Sequence, residues 1–194
     1  MLIGLTGNFG SGKSLVLNFV WQYGVTTVSS DDIVRELLGD AAIKSELITI
    51  LGDILDNKGE IDKKKMAGII FKDSILRKKA EAVIHPKVME KIIQTHNDVI
   101  NDNSNGIVVA EIPLLFEAGL ESQMDSIIIV TCDPKEVKSR LMKKGFTKDE
   151  IELRLKSQLS MEEKVKKSDH VIDNSLSSKE TQRQIKNIMS KVKE

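Results

Sequence analysis

The sequence predicts an α/β fold, with a five-stranded parallel sheet flanked by helices and a helical insertion between two core strands. Three observations predict it. A short apolar run, Leu2, Ile3 and Leu5, is followed at once by a glycine-rich loop and an apolar stretch at helical spacing. Further short strand patterns follow at 26–28, 106–112, 127–130 and 170–172, most of them separated by helical patterns. The interval 40–105 is mainly helical and far longer than a minimal crossover. Right-handed crossovers place functional groups at the carboxyl ends of such strands.

The loop is Gly7-Asn8-Phe9-Gly10-Ser11-Gly12-Lys13-Ser14, which fits G-x-x-x-x-G-K-[ST] in its strand–loop–helix context. Backbone without side chains can wrap a triphosphate closely, and successive N–H groups then point inward beside a helix N-terminus. Lys13 is expected to reach the β- and γ-phosphates and Ser14 to ligate Mg²⁺. The motif identifies a phosphate site without fixing the reaction. Thr26-Thr27-Val28 ends in Ser29-Ser30-Asp31-Asp32, where the acids read either as first-turn helix residues or as a carboxylate beside the loop. The next helix follows on Ile33, Val34, Leu37 and Leu38.

Helices are expected at 41–51, after Asp62, and over about 74–100, with Asp56 to Glu60 a polar turn. Pro86 disfavours helical geometry at His85, which predicts an end or kink there. Glu111, near the carboxyl end of the strand at 106–112, is placed to hold Mg²⁺ through water. Asp133-Pro134 opens another helix, and Ser177 to Lys193 predicts a terminal amphipathic one. Between 138 and 167 lie Lys138, Arg140, Lys143, Lys144, Lys148, Arg154, Lys156, Lys164, Lys166 and Lys167 among acids. That segment reads either as solvated helix faces or as a lid whose arginines close over phosphates.

Lys plus Arg equals Asp plus Glu at 29 each, so no global field recruits nucleic acid or an anionic membrane. The single Cys132 excludes an intrachain disulfide and fits a reducing compartment; it reads as a small buried residue rather than a nucleophile. No stretch approaches about 18 apolar residues, and the N-terminus reads as a strand rather than a signal peptide, so a cytoplasmic protein is expected. A GTPase switch should show Asn-Lys-x-Asp after a strand. The nearest match, Asn57-Lys58-Gly59-Glu60, has Glu in the last place and lies in a polar turn. A small-molecule kinase suits the arrangement better.

Several segments together resemble the dephospho-CoA kinase family over essentially the whole chain. They are Ile3-Gly4-Leu5-Thr6-Gly7 with the loop, Asp31 with Arg35-Glu36-Leu37, and Ile84-His85-Pro86-Lys87-Val88. Pro113-Leu114-Leu115-Phe116-Glu117-Ala118-Gly119-Leu120 and Val171-Ile172-Asp173-Asn174-Ser175 complete them. The resemblance implies a P-loop kinase fold: a nucleotide-binding core (1–32, 101–136, 168–194), a helical CoA-substrate domain (33–100) and a lid (137–167). It implies transfer of the ATP γ-phosphoryl group to the ribose 3′-hydroxyl of dephospho-CoA.

Asp31, Lys13 and Arg140 would then be catalytic, with Asp31 accepting or orienting the hydroxyl. Gly10, Ser11, Gly12, Lys13, Ser14, Leu15, Arg154 and Asn174 would bind ATP, and Ser14 and Glu111 would hold Mg²⁺. Asp31, Arg35, His85, Pro113, Leu114, Leu115, Phe116 and Glu117 would contact dephospho-CoA. Unaided by the resemblance, His85 reads first as a helix-end or packed surface residue, Leu114 to Phe116 could be ordinary core, and His96 reads as structural or exposed. The implied partner is that small molecule alone, with no nucleic acid or membrane, in a monomer or weak homo-oligomer. The family's usual Asp-x-Asp after the second strand here begins with Ser29, its usual Gly-Ile in the loop is Asn8-Phe9, and Leu15 stands where Thr often follows. Another acceptor for the same chemistry, and a non-catalytic nucleotide-binding protein, are the alternative readings.

Overall fold

The structure, a computed structural model, describes residues 1–192. In chain order the elements are β1 (Leu2–Thr6), α1 (Lys13–Gln22), β2 (Thr26–Ser29), α2 (Ser30–Leu37), α3 (Ala41–Leu51), α4 (Lys63–Ile70) and α5 (Ser74–Asp102). There follow β3 (Val108–Glu111), β4 (Ser126–Thr131), α6 (Pro134–Lys143), α7 (Lys148–Lys156), α8 (Met161–Lys166), β5 (His170–Asp173) and α9 (Ser178–Val192). The predicted end of the last helix, Lys193, lies outside the described residues.

All five strands are parallel, in the order β2-β3-β1-β4-β5. Register aligns Ser29 with Glu111 and Glu111 with Leu5, so three strands end level beside the glycine-rich loop. Alternation along β1 decides its two faces. Ile3 and Leu5 enter a core shared with Val16 and Val20 of α1 and Ile185 of α9. On the other face, a Cβ at Gly4 would lie 2.5 Å from Leu115 and 3.1 Å from Met124, so that strand position has room only for hydrogen.

The described chain divides into two compact units, Met1–Ser29 with the described residues from His96 onward, and Ser30–Thr95. The second unit contains α2, α3, α4 and most of α5. The helix expected after Asp62 starts there. Asp62 accepts from the N–H groups of Lys64 and Lys65, and Asp40 does the same for Ala42 and Ile43.

The expectation that a helix ends at His85 is overturned here. His85-Pro86 does not interrupt the long helix; α5 runs unbroken with Pro86 inside it. Pro86 cannot serve the carbonyl of Ala82, but both residues are exposed, so water can. Ala80, Ile84, Val88 and Ile92 meanwhile form one buried stripe at four-residue spacing across the proline. Burial of that stripe outweighs the loss of one hydrogen bond.

The charged segment 138–167 is not uniformly a solvated face. Lys164 of α8 is fully buried, with its Nζ 2.8 Å from Glu117 Oε1 in the loop after β3. The approach is a close charge pairing without hydrogen-bond alignment, and Glu117 Oε1 also accepts from the Leu159 N–H at 2.9 Å. A buried ammonium without its carboxylate, or the reverse, is strongly unfavourable. Lys164→Met is expected to lower unfolding stability by about 3–5 kcal/mol, read from urea denaturation, and a second change, Glu117→Leu, should recover a large part of the loss.

Candidate nucleotide and phosphoryl-transfer site

The site begins where β1 gives way to α1. Gly12 sits at φ 97°, and a Cβ there would lie 2.0 Å from the Asn174 amide nitrogen, so only glycine fits. Gly12 also leaves the N-terminus of α1 without a side-chain cap, and its open N–H groups with the helix dipole favour an anion. Lys13 Nζ donates to the Gly7 carbonyl at 2.8 Å and the Asn8 carbonyl at 3.3 Å, which holds the ammonium across the loop. Ser11 Oγ and Asn8 Oδ1 are buried there without a hydrogen-bond partner among the described residues.

Ser14, on the first turn of α1, donates to Glu111 Oε1 at 3.1 Å. Glu111 is buried at the carboxyl end of β3, level with Ser29 of β2 in register. A hydroxyl and a carboxylate oxygen side by side at a phosphate loop form a hard donor set, which suits Mg²⁺ with phosphate oxygens and water completing the shell. Among the described residues no cluster of three or more His, Cys, Asp or Glu offers an all-protein cage, and an ion of this kind does not require one.

The loop is braced from behind by the segment after β5. Asn174 is almost fully buried; its amide donates to the Ser11 carbonyl at 2.8 Å and accepts from Thr181 Oγ1 at 3.1 Å. Arg140 of α6 donates to the Asn174 carbonyl at 3.0 Å, which places its guanidinium within 4.0 Å of where a Gly12 Cβ would be. Cys132 Sγ approaches the same Asn174 carbonyl at 3.5 Å, and burial raises its pKa, consistent with a packed thiol rather than a nucleophile. From α7, the Arg154 guanidinium lies 4.8 Å from the centre of the Phe9 ring.

A family model for dephospho-CoA kinase matches residues 1–180. The chain belongs to the dephospho-CoA kinase family. The dephospho-CoA kinase of Geobacillus kaustophilus is 35% identical over 188 residues, covering 95% of this chain and 93% of that one. The enzyme of Listeria innocua is 37% identical over 187 residues, covering 94% and 92%. Among solved structures, a Thermus thermophilus protein superposes with a TM-score of 0.86 at 28% identity, covering 98% of this chain and 97% of its own. Dephospho-CoA kinase from Campylobacter jejuni gives 0.72 at 25% identity, covering 99% and 96%. Shikimate kinase from Bacteroides thetaiotaomicron, at 0.53 and 12% identity with 100% and 99% coverage, shares the fold.

The residues that the family resemblance nominates fall into distinct settings. Gly10, Ser11, Gly12, Lys13, Ser14, Glu111, Arg140, Arg154 and Asn174 all belong to the sheet-containing unit. Asn174 touches the loop's backbone, so its visible work is to shape the loop. Leu15 is exposed on α1 with its N–H bonded to the Gly12 carbonyl. In the segment after β3, Leu115 and Phe116 are buried, Leu114 is exposed and Pro113 is half-buried. Glu117 is held by Lys164 and Leu159.

Asp31, Arg35 and His85 belong to the helical unit. Asp31 is exposed in the first turn of α2, Arg35 pairs with Asp32 at 2.7 Å, and His85 is half-buried inside α5. His96, in the sheet-containing unit, is half-buried with Nε2 unpartnered among the described residues, and burial lowers its pKa. Sequence reasoning missed Gln158, whose side chain accepts the Phe9 N–H at 2.9 Å, and Lys164 as a buried cation. Gln158 carries no local signal. Lys164 is masked by the charged residues around it.

Gly12→Ala forces a left-handed alanine into the Asn174 amide, so strain of about 1–3 kcal/mol is expected to weaken ATP binding by roughly fivefold or more. Titration calorimetry with ATP checks this, and wild-type affinity would show that the observed loop conformation is not the binding one.

Proposed function

We propose that this kinase moves the γ-phosphoryl group of ATP to the ribose 3′-hydroxyl of dephospho-CoA, yielding coenzyme A and ADP in the last step of coenzyme A biosynthesis. Family membership supports the reaction. The observation that carries the proposed chemistry is the Ser14–Glu111 contact at the mouth of a loop whose lysine lies across it. Ser14 and Glu111 would hold Mg²⁺, which would supply positive charge to the nucleotide's phosphate oxygens.

The protein's own groups do the rest. On nucleotide binding the Lys13 ammonium exchanges the Gly7 and Asn8 carbonyls for phosphate oxygens. Arg140, anchored by the Asn174 carbonyl, and Arg154 add positive charge around the migrating group. Asp31, two residues beyond Ser29 in the chain, receives or orients the 3′-hydroxyl proton. The 3′ oxygen bonds to the γ-phosphorus as the bond to the β,γ-bridging oxygen breaks; ADP leaves and the proton passes from the carboxylate to solvent. A loose transition state requires little covalent work, so alignment and charge neutralisation dominate. Arg35, His85 and the 113–117 segment are assigned to the dephospho-CoA side on the family resemblance. The segment 137–167 acts as the lid.

The deciding experiment is mass spectrometry of dephospho-CoA incubated with the protein, ATP and Mg²⁺, with regiochemistry checked on the product. One added phosphate at the 3′ position, absent with Lys13→Ala, is expected. An unmodified acceptor despite ATP binding would redirect the assignment to another acceptor. Asp31→Asn is expected to lower kcat by about 10²–10⁴ with ATP affinity little changed, and near-normal turnover would remove Asp31 from the mechanism.

A further inference from the structure

Phe9 occupies the third position of the phosphate loop, yet its backbone and its ring both meet residues that flank α7. Its N–H donates to Gln158 Oε1 at 2.9 Å. Its ring meets Phe146 edge-to-face, with centroids 5.2 Å apart and planes at 89°. The Arg154 guanidinium lies against both rings, 4.8 Å from the Phe9 centroid and 5.1 Å from that of Phe146. Behind the rings is a small apolar cluster of Val137 and Leu141 from α6 with Ile151 from α7.

A guanidinium packed on aromatic rings uses its faces, whereas its N–H donors point outward in its own plane. Of the acids around it, Glu150, one turn earlier on α7, interacts with Arg154 electrostatically, but its carboxylate is bonded to the Thr147 N–H and hydroxyl in the helix cap. Phe9 and the loop backbone are one continuous segment, so the ring ties the guanidinium's position to the phosphate cradle. Holding a long side chain in place before the ligand arrives removes part of the ordering entropy that binding would otherwise cost.

We propose that Phe9 is a positioning residue for phosphoryl transfer: its ring holds Arg154 beside the phosphate loop with the guanidinium edge open to nucleotide phosphate. The inference rests on the assignment of Arg154 to the nucleotide. Phe9 itself touches no reacting atom and acts through Arg154. A leucine at this position would keep apolar bulk on Val137 and Leu141 but would offer no π face.

The test is a double-mutant cycle in kcat/KM for ATP, with thermal midpoints and KM for dephospho-CoA measured alongside. Phe9→Leu is expected to lower kcat/KM for ATP by roughly threefold to thirtyfold, with the midpoint and the acceptor KM nearly unchanged. Phe9→Tyr, which keeps the ring, should restore the wild-type value. In an Arg154→Ala background Phe9→Leu should cost nothing further, because the ring then has no guanidinium to hold. An equal loss in both backgrounds, or none in either, overturns the inference. Should Phe9→Leu fail to fold, Phe146→Leu removes the second ring, and the same cycle decides with the same readouts. If Arg154→Ala alone retains wild-type kcat/KM, the assignment of Arg154 to the nucleotide fails and takes this inference with it. If Arg154→Ala is impaired and Phe9→Leu is not, the inference alone fails.

Discussion

The left-handed turn at Gly12, closed against the Asn174 amide, is the constraint on which the site depends. The turn directs the chain from β1 into α1, so it sets where the first N–H groups of the helix point. A side chain at Gly12 would overlap the amide that fixes the Ser11 carbonyl. The same Asn174 accepts Arg140 through its main-chain carbonyl. One buried residue after the last strand therefore shapes the anion cradle and places a cation beside it. Such bracing keeps donors oriented before charge arrives, which is how a preorganised site stabilises a migrating phosphoryl group.

Charge is used in two different ways in a chain whose net formal charge is zero. Lys164 is buried completely and paired with Glu117, so its charge is committed to holding α8 against the loop after β3. Lys13 is also buried but is held by main-chain carbonyls of the phosphate loop. Neutral carbonyls are weaker partners for an ammonium than phosphate oxygens are. The first arrangement serves stability; the second fits the exchange of partners proposed for Lys13.

Much of the architecture was legible along the chain. The glycine spacing, the flanking apolar runs, the cap at Asp62 and the helix start at Asp133-Pro134 are local features, and each acts within a few residues of itself. Pro86 was misread because the local rule for a proline was weighed without the stripe of Ala80, Ile84, Val88 and Ile92 that spans it. Tertiary burial of that stripe is not a property of the dipeptide His85-Pro86. Of the candidate site, Lys13, Ser14 and Glu111 could be named from residue type and strand position. The packing of Arg154 on the Phe9 ring could not, because the two are far apart in sequence and Phe9 stood out only as a departure from the family's usual residue.

By itself, then, the sequence determined the parallel α/β class, the phosphate loop and the kinase family, because these reside in periodicity and in short motifs whose chemistry is local. Only the tertiary structure decided which cations are sealed inside the fold and which are not. Lys164 and Arg154 lie ten residues apart in the same basic stretch, yet one is sealed against Glu117 and the other is laid on the ring of a loop residue. Sequence composition records both as cations. Burial and partner geometry, which arise only when distant segments pack together, separate them.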